Sequence, residues 1–298
     1  MENKSGTFFV TINAKLKSLF IMPAALISVL LLFWALFQVV AGGHDRIAWL
    51  GAAVSALPLP FLILRLMITP VERTSENLPL LLLLSAIGVV IPAWEQFVEG
   101  VAGWGPLSVA LVNAGIMLLY VFWYSRFGRI ESSQLAVGSK LPEFRLKDAE
   151  GNEIGSVDLA GSPAVLLFYR GNWCPLCMAQ IREIVSRYQE MHDMGIKVAL
   201  ISPQPEEHTR NLAAMHDVPF HFLIDAENRL AEALGIAIDN GVPVGVMGGY
   251  APNTVMPTVV VTNASGTIVF SDQTDNYRVR PEPDVFLAIL RRSGALAQ

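Results

Sequence analysis

Residues 164–177 of the 298-residue chain have the sequence AVLLFYRGNWCPLC. The apolar run from Ala164 to Phe168 predicts a buried strand, and Pro175 suits the first turn of a following helix. The only two cysteines, Cys174 and Cys177, therefore lie where a strand leads into a helix. Free N–H groups and the helix dipole stabilise a thiolate at such a junction. Thiols at this spacing can also close a disulfide with little backbone movement, so the pattern predicts redox exchange.

Two other uses of the cysteine pair are less consistent with the sequence. A zinc site needs about four ligands, and the chain has neither a second cysteine pair nor a histidine pair at a matching interval. An inert disulfide closing so short a loop would constrain the unfolded chain very little. The sequence therefore predicts neither a metal nor a cofactor, and it favours a redox-active dithiol.

The composition divides the chain into an apolar half and a half with ordinary polar patterning. Residues 1–133 are predicted to form an all-α membrane region of about four transmembrane helices, and residues 134–298 a soluble α/β domain. An uncharged run of about 20 residues is long enough to cross roughly 30 Å of hydrocarbon as a helix. The predicted spans are residues 19–40, 47–68, 78–94 and 106–124, and Pro58 and Pro60 are expected to kink the second.

The lysines and arginines predict the orientation of these spans. With four spans, the N-terminus, the second loop and the segment after the last span share a side. Seven basic residues fall on that side: Lys4, Lys15, Lys17, Arg65, Arg73, Arg126 and Arg129. Arg46 falls on the opposite side. By the positive-inside rule, the soluble domain of this multi-pass protein faces the cytoplasm, in a bacterial inner membrane. A periplasmic domain is the alternative, because an odd number of spans would move it across the bilayer.

Strands and helices are predicted to alternate along the soluble domain and to form a mixed sheet with helices on both faces. The predicted strands are residues 164–168, 197–201, 222–224, 258–262 and 267–271. The predicted helices begin at Pro175 and cover residues 206–215, 229–234 and 283–292. Nucleic acid is an unsuitable partner for this domain, because it carries 19 acidic residues against 13 lysines and arginines.

The order Trp173-Cys174-Pro175-Leu176-Cys177 after a buried strand, with Met256-Pro257-Thr258 entering a later one, resembles the thioredoxin fold. Three further segments resemble the peroxiredoxin branch of that fold, the AhpC/TSA and redoxin group: residues 141–146, Phe168-Tyr169, and residues 224–227. The resemblance covers residues 137–295. It implies an α/β thioredoxin-like domain with thiol–disulfide oxidoreductase or antioxidant peroxidase activity.

One departure from the peroxiredoxin pattern affects the assignment of the attacking cysteine. Peroxiredoxins typically carry Pro-x-x-x-Thr-x-x-Cys after the Phe-Tyr pair. In that register, this chain has Arg170, Cys174 and Cys177 in place of the Pro, the Thr and the peroxidatic Cys. It is similar to the peroxiredoxin-like subgroup with a Cys-x-x-Cys motif. The peroxiredoxin register assigns attack to Cys177, whereas the thioredoxin resemblance assigns it to Cys174. The position of Cys174 at the helix edge predicts that it is the more exposed thiol with the lower pKa.

Several residues around the dithiol are candidates for supporting roles. Arg170 is either a cation that lowers a thiol pKa or a surface group. Pro257 resembles the cis-proline beside the dithiol in thioredoxin folds. Arg278 or Arg280 resembles the arginine that polarises the peroxide in peroxiredoxins, and a solvated basic turn is the alternative. Trp173 is expected to pack as a lid over the dithiol.

Three classes of function are consistent with these observations. The first is a membrane-bound thiol–disulfide oxidoreductase, with thiol-peroxidase activity if it takes peroxides. The second is a redox-gated membrane binding module without turnover, and the third is an assembly protein that uses the redoxin domain as a docking surface. The expected partners are the lipid bilayer, protein thiols or disulfides, a thioredoxin-like electron donor and a membrane protein.

Overall fold

The computed structural model describes residues 4–101 and 103–292, and the chain divides into two compact units. One unit contains residues 19–69 and 74–126. The other contains the chain from residue 127 onward, with residues 70–73 and the residues up to 18. The division follows the change from apolar to mixed composition.

The apolar half is helical throughout its described regular structure. Its α-helices are α1 (Lys4–Ala41), α2 (Arg46–Ala56), α3 (Pro58–Ile68), α4 (Pro79–Trp94) and α5 (Trp104–Leu119). A turn of π-helix follows each of the last two, at Glu95–Glu99 and Tyr120–Tyr124.

Three stretches among the described residues are long and apolar enough to cross a membrane: Ile12–Ala41, Pro79–Glu99 and Trp104–Tyr124. A fourth is possible if α2 and α3, which meet at a bend of 41°, count as one broken span. The bend falls at Pro58, as the sequence predicted, because proline lacks an N–H and its ring crowds the preceding helical turn.

Small residues allow α2 and α4 to approach closely. A Cβ on Gly88 would lie 2.3 Å from the backbone nitrogen of Ser55, and one on Gly51 would lie 2.6 Å from Cδ of Pro92. Neither position can accept a larger side chain without separating the helices. Such small-residue contacts are typical of helix packing in membranes.

The C-terminal unit is built on a seven-stranded mixed sheet. Its strands are β1 (Arg145–Asp148), β2 (Glu153–Gly155), β3 (Ala164–Phe168), β4 (Lys197–Ser202), β5 (His221–Ile224), β8 (Thr258–Thr262) and β9 (Ile268–Asp272), in the order β2-β1-β5-β4-β3-β8-β9. Strands β3, β4 and β5 are parallel, and the remaining pairings are antiparallel. A separate two-stranded ladder joins β6 (Ala237–Ile238) to β7 (Thr254–Val255).

Six α-helices accompany the sheet: α6 (Ser156–Leu159), α7 (Pro175–Ser186), α8 (Tyr188–Asp193), α9 (Glu206–Met215), α10 (Arg229–Ala233) and α11 (Pro283–Arg292). Strands β3 and β8 are buried at every position, which explains their nearly continuous apolar sequences. Leu166, Phe168, Ile201 and Val260 belong to one buried cluster on this sheet. The sheet is therefore a rigid platform for the segment that follows β3.

The structure confirms most of the predicted elements of this unit. Strands β3 and β8 and helices α9 and α11 have the predicted bounds, and Pro175 is the first residue of α7. Phe168 pairs with Thr258 between the antiparallel strands β3 and β8. This pairing places Pro257 at the sheet edge where the dithiol segment leaves β3.

Candidate active site

The dithiol lies at the start of α7, directly after the turn that leaves β3. Cys174 is the N-cap residue, and its sulfur accepts a hydrogen bond from the backbone N–H of Cys177 at 3.4 Å. Cys177 lies in the first turn of the helix. Proline at the first helical position has no N–H to leave unpaired and has a φ angle that suits the helix. The sequence from Cys174 to Cys177 therefore sets the helix start and brings both sulfurs to it.

Both cysteines are free and enclosed. Their sulfur atoms are 2.7 Å apart, and the residues are only 2% and 0% exposed for Cys174 and Cys177. Cys174 was predicted to be the more exposed thiol, and the difference between the two residues amounts to these two percentage points. Residues 169–171, which lead into the turn before Cys174, are buried as well.

Arg280 is the arginine that reaches the dithiol. It is 5% exposed, and its Nη2 donates to the sulfur of Cys177 at 3.4 Å. Its Nη1 donates to Oε1 of Gln180 at 2.7 Å, and its Nε donates to the carbonyl of Tyr277 at 3.1 Å. Arg278 is also fully buried, and its backbone N–H donates to Asn276. Arg280 thus contacts a sulfur of the dithiol. Both candidate arginines are buried, so the solvated-turn alternative is wrong for each of them.

The surroundings favour Cys177 as the thiolate. Burial alone would raise the pKa of Cys177, but the hydrogen bond from Cys174, the charge of Arg280 and the backbone N–H of Arg170 outweigh burial and lower that pKa to about 5. The pKa of Cys174 is raised by burial and by the neighbouring Cys177 sulfur. The prediction that Cys174 has the lower pKa is therefore wrong. One proton and one negative charge are shared by the pair, and the nearest guanidinium fixes the charge on Cys177.

Arg170 is buried rather than solvated. Its guanidinium lies over the ring of Trp173 at 4.5 Å and over that of Tyr277 at 5.5 Å. Its Nη2 donates to the carbonyl of Gly241 at 2.5 Å. The Arg170 charge contributes to the lowered pKa of Cys177, after the charge of Arg280 and its own N–H. Trp173 is partly buried, and its ring packs against the guanidinium of this arginine.

Pro257 enters β8 through a trans peptide bond, since no peptide bond among the described residues is cis. The expected cis-proline is therefore wrong for this chain. Trans is the lower-energy isomer by about 0.5–1 kcal/mol. The carbonyl of Pro257 accepts a hydrogen bond from Nη1 of Arg129 at 3.2 Å, and a shallow depression at this edge includes Pro257, Gln180 and Arg280.

A buried polar network that the sequence gave no reason to single out holds the turn before Cys174. Oε1 of Gln204 accepts from the backbone N–H of Asn172 at 2.9 Å, and its Nε2 donates to the hydroxyls of Tyr169 at 3.0 Å and Thr209 at 3.1 Å. Asn172 in turn donates to the carbonyl of His208 at 2.9 Å. These residues come from the segment after β3, from α9 and from the loop before α9. The local sequence of Gln204, His208 and Thr209, SPQPEEHTRN over residues 202–211, carries no pattern that marks them as inward-pointing.

The family comparison agrees with this fold. Residues 137–271 match the model of the AhpC/TSA family, so the C-terminal half of the chain contains a peroxiredoxin-like domain of thioredoxin fold.

Individual relatives are peroxiredoxins and a thiol–disulfide oxidoreductase. The chain is 26% identical over 102 residues to Peroxiredoxin Bcp of Bacillus subtilis, which covers 34% of this chain and 65% of that protein. It is 29% identical over 107 residues to the chloroplastic Peroxiredoxin Q of Sedum lineare, a match that covers 36% of this chain and 58% of that protein. It is 26% identical over 124 residues to the thiol-disulfide oxidoreductase ResA of Geobacillus thermodenitrificans, a match that covers 41% of this chain and 71% of that protein.

The chain thus spans less than two thirds of the length of the two peroxiredoxins. Among solved structures, Peroxidoxin BcpB from Mycobacterium tuberculosis aligns with a TM-score of 0.44 and 22% identity, over 53% of this chain and 97% of that one.

Proposed function

We propose that the protein is a membrane-bound thiol–disulfide oxidoreductase of peroxiredoxin-like type that reduces hydroperoxides. Cys177 is the attacking thiolate and Cys174 the resolving thiol. The contact between Arg280 and the Cys177 sulfur is the observation that carries the proposal, because it stabilises a nucleophile and places a cation beside the reacting atom. The peroxidase and oxidoreductase relatives support the same class of chemistry.

The first half of the cycle oxidises Cys177. Its thiolate attacks the terminal oxygen of the hydroperoxide, an S–O bond forms and the O–O bond breaks. The departing alkoxide takes one proton to become an alcohol, and Cys177 becomes a sulfenic acid. The Arg280 guanidinium stabilises the negative charge that develops on the leaving oxygen.

The second half forms and then reduces the disulfide. The sulfur of Cys174 is 2.7 Å from that of Cys177, so it attacks the sulfenic sulfur without a large rearrangement. Water leaves with the hydroxyl oxygen, and the Cys174–Cys177 disulfide forms. A thioredoxin-like donor dithiol then restores both thiols through a mixed disulfide and takes the disulfide itself.

The apolar helices support a membrane location for this chemistry. Three or four of them are long enough to span a bilayer, and the basic residues flanking them favour a cytoplasmic domain. We propose that the soluble domain works at the cytoplasmic face of a bacterial inner membrane, where a reducing environment keeps the dithiol supplied with electrons.

Turnover by the full chain in detergent micelles tests the proposal. Consumption of cumene hydroperoxide with dithiothreitol should require Cys177, and Cys177→Ser should abolish it. Without dithiothreitol, Cys174→Ser should consume one equivalent and accumulate a sulfenic acid that dimedone traps. Ser186→Ala, on the exposed side of α7, is the matched control and should leave turnover unchanged.

Two results would contradict the proposal. Trapping of the sulfenic acid at Cys174 would reverse the roles of the two cysteines. Disulfide formation without turnover would favour a redox-gated membrane binding module instead.

A further inference from the structure

Arg280 is a buried cation whose contacting anion is the thiolate itself. Its other two hydrogen-bond acceptors, the amide oxygen of Gln180 and the carbonyl of Tyr277, are uncharged. Asp272 acts on Arg280 only as a more distant charge. A buried charge that loses its partner is strongly destabilising, so the state of Cys177 decides how well Arg280 is compensated.

Oxidation removes that partner. When the Cys174–Cys177 bond forms, two electrons leave the pair, Cys174 releases its proton, and the negative charge on Cys177 disappears. Arg280 then remains buried beside a neutral disulfide. Reduction reverses these changes and restores the ion pair, so the arginine favours the reduced form over the oxidised one.

We propose that Arg280 makes Cys174–Cys177 an oxidising couple, which readily accepts electrons from protein dithiols and does not reduce stable structural disulfides. A couple has a high reduction potential when its reduced form is selectively stabilised. This inference rests on the disulfide cycle of the proposed function and adds the direction of electron flow. The donor is a dithiol of lower potential, and the final acceptor must be a stronger oxidant than an ordinary protein disulfide.

The size of the effect follows from the ionisation of the pair. Because the pKa of Cys177 is about 5, its ionisation at pH 7 favours the reduced form about 100-fold, relative to a cysteine pair that stays protonated. A hundredfold change in this equilibrium corresponds to about 60 mV in the two-electron reduction potential. The charged or titratable groups that influence Cys177 are Cys174, Arg280, Arg170 and Tyr169. Tyr169 stays neutral, because burial raises the pKa of its hydroxyl further above the physiological range.

Redox titration of the full chain in detergent tests the inference. The protein is equilibrated in glutathione or dithiothreitol buffers, and the disulfide fraction is measured by alkylation and mass spectrometry. Arg280→Gln removes the cation, whereas Gln180→Glu leaves it in place and gives it a permanent anion. Both variants should shift the thiol–disulfide equilibrium toward the disulfide by at least tenfold. This shift lowers the reduction potential of the Cys174–Cys177 couple by about 30 mV. Arg291→Gln, on the exposed surface of α11, is the control and should match the wild type.

The pH dependence supplies a second readout. Between pH 6 and 8, reduction of the wild-type disulfide should take up one proton. Its equilibrium constant should then change tenfold, and its reduction potential by about 30 mV, for each pH unit. Reduction of the Arg280→Gln and Gln180→Glu variants should take up nearly two protons. Their equilibrium constants should then change about a hundredfold, and their reduction potentials by about 59 mV, for each pH unit. If Arg280→Gln does not fold, Gln180→Glu carries both comparisons.

The possible failures have different meanings. Equal potentials for the wild type and both variants, or a wild-type slope of about 59 mV, would overturn the inference and leave the disulfide cycle standing. If no redox buffer forms the Cys174–Cys177 disulfide, the proposed function fails and the inference fails with it.

Discussion

Substitution of Gln204 by Leu should loosen the turn that leads into the dithiol. The two side chains have similar volumes, so the change removes polar contacts without opening a large cavity. Three hydrogen bonds of 2.9, 3.0 and 3.1 Å are lost, to Asn172, Tyr169 and Thr209. At about 1 kcal/mol each, the free energy of unfolding should fall by about 3 kcal/mol. A domain of this size should then melt about 6–12 °C lower.

The cysteines themselves provide the assay. They are the only two in the chain and both are buried, so a thiol-reactive fluorophore added during heating reports unfolding of the C-terminal unit. Gln189→Leu is the control, because Gln189 is exposed and its amide donates to Asp193 on the same helix. Melting of Gln204→Leu within about 2 °C of that control would refute a stabilising role for the network.

Two further predictions concern topology and pH. The topology is tested in a variant in which both native cysteines are replaced by Ser. In intact cells, the thiol of Val157→Cys should resist a membrane-impermeant maleimide, and the thiol of His44→Cys should react with it. The reverse pattern would place the C-terminal unit outside the cytoplasm. Peroxide consumption should stay level from pH 8 to 6 and fall as the pH drops through about 5, where Cys177 is protonated. The Cys177 thiolate stabilises the folded state fully at pH values above the pKa that this thiol has in the unfolded chain. This contribution is lost as the pH falls through the folded-state pKa of about 5. In Arg280→Gln the midpoint of the activity profile should rise toward an ordinary thiol pKa, and an unmoved midpoint would contradict the role of the arginine.

Local pattern was sufficient to predict the central part of the C-terminal unit. The apolar run of β3 and the proline at the start of α7 are short-range signals, and both elements lie where they were predicted. The hairpin of β1 and β2 was missed because its strands are short and largely exposed, so burial imposes no apolar run on them. The two-residue strands β6 and β7 and the single-turn helix α8 carry even less local signal.

The choice between the two thiols could not be made from local sequence. The helix-start argument concerns only the residues around Cys174, and it favours that residue. The deciding group is Arg280, 103 positions beyond Cys177, and the fold alone brings it to the sulfur. The same is true of Gln204, which is separated from Asn172 by 32 residues. Sequence separation hides such contacts because nothing in a single chain marks two distant polar residues as partners.

The near-complete burial of both sulfurs has a kinetic consequence. With exposures of 2% and 0%, a hydroperoxide meets Cys177 only after a local opening of the surrounding loops. At high peroxide concentration, the rate of reaction should therefore reach a plateau equal to the opening rate, even without a binding site that saturates. Increased solvent viscosity should lower this plateau, whereas a more reactive peroxide should leave it unchanged. Motion of the protein should then set the ceiling on turnover, and thiol chemistry should govern only the initial slope.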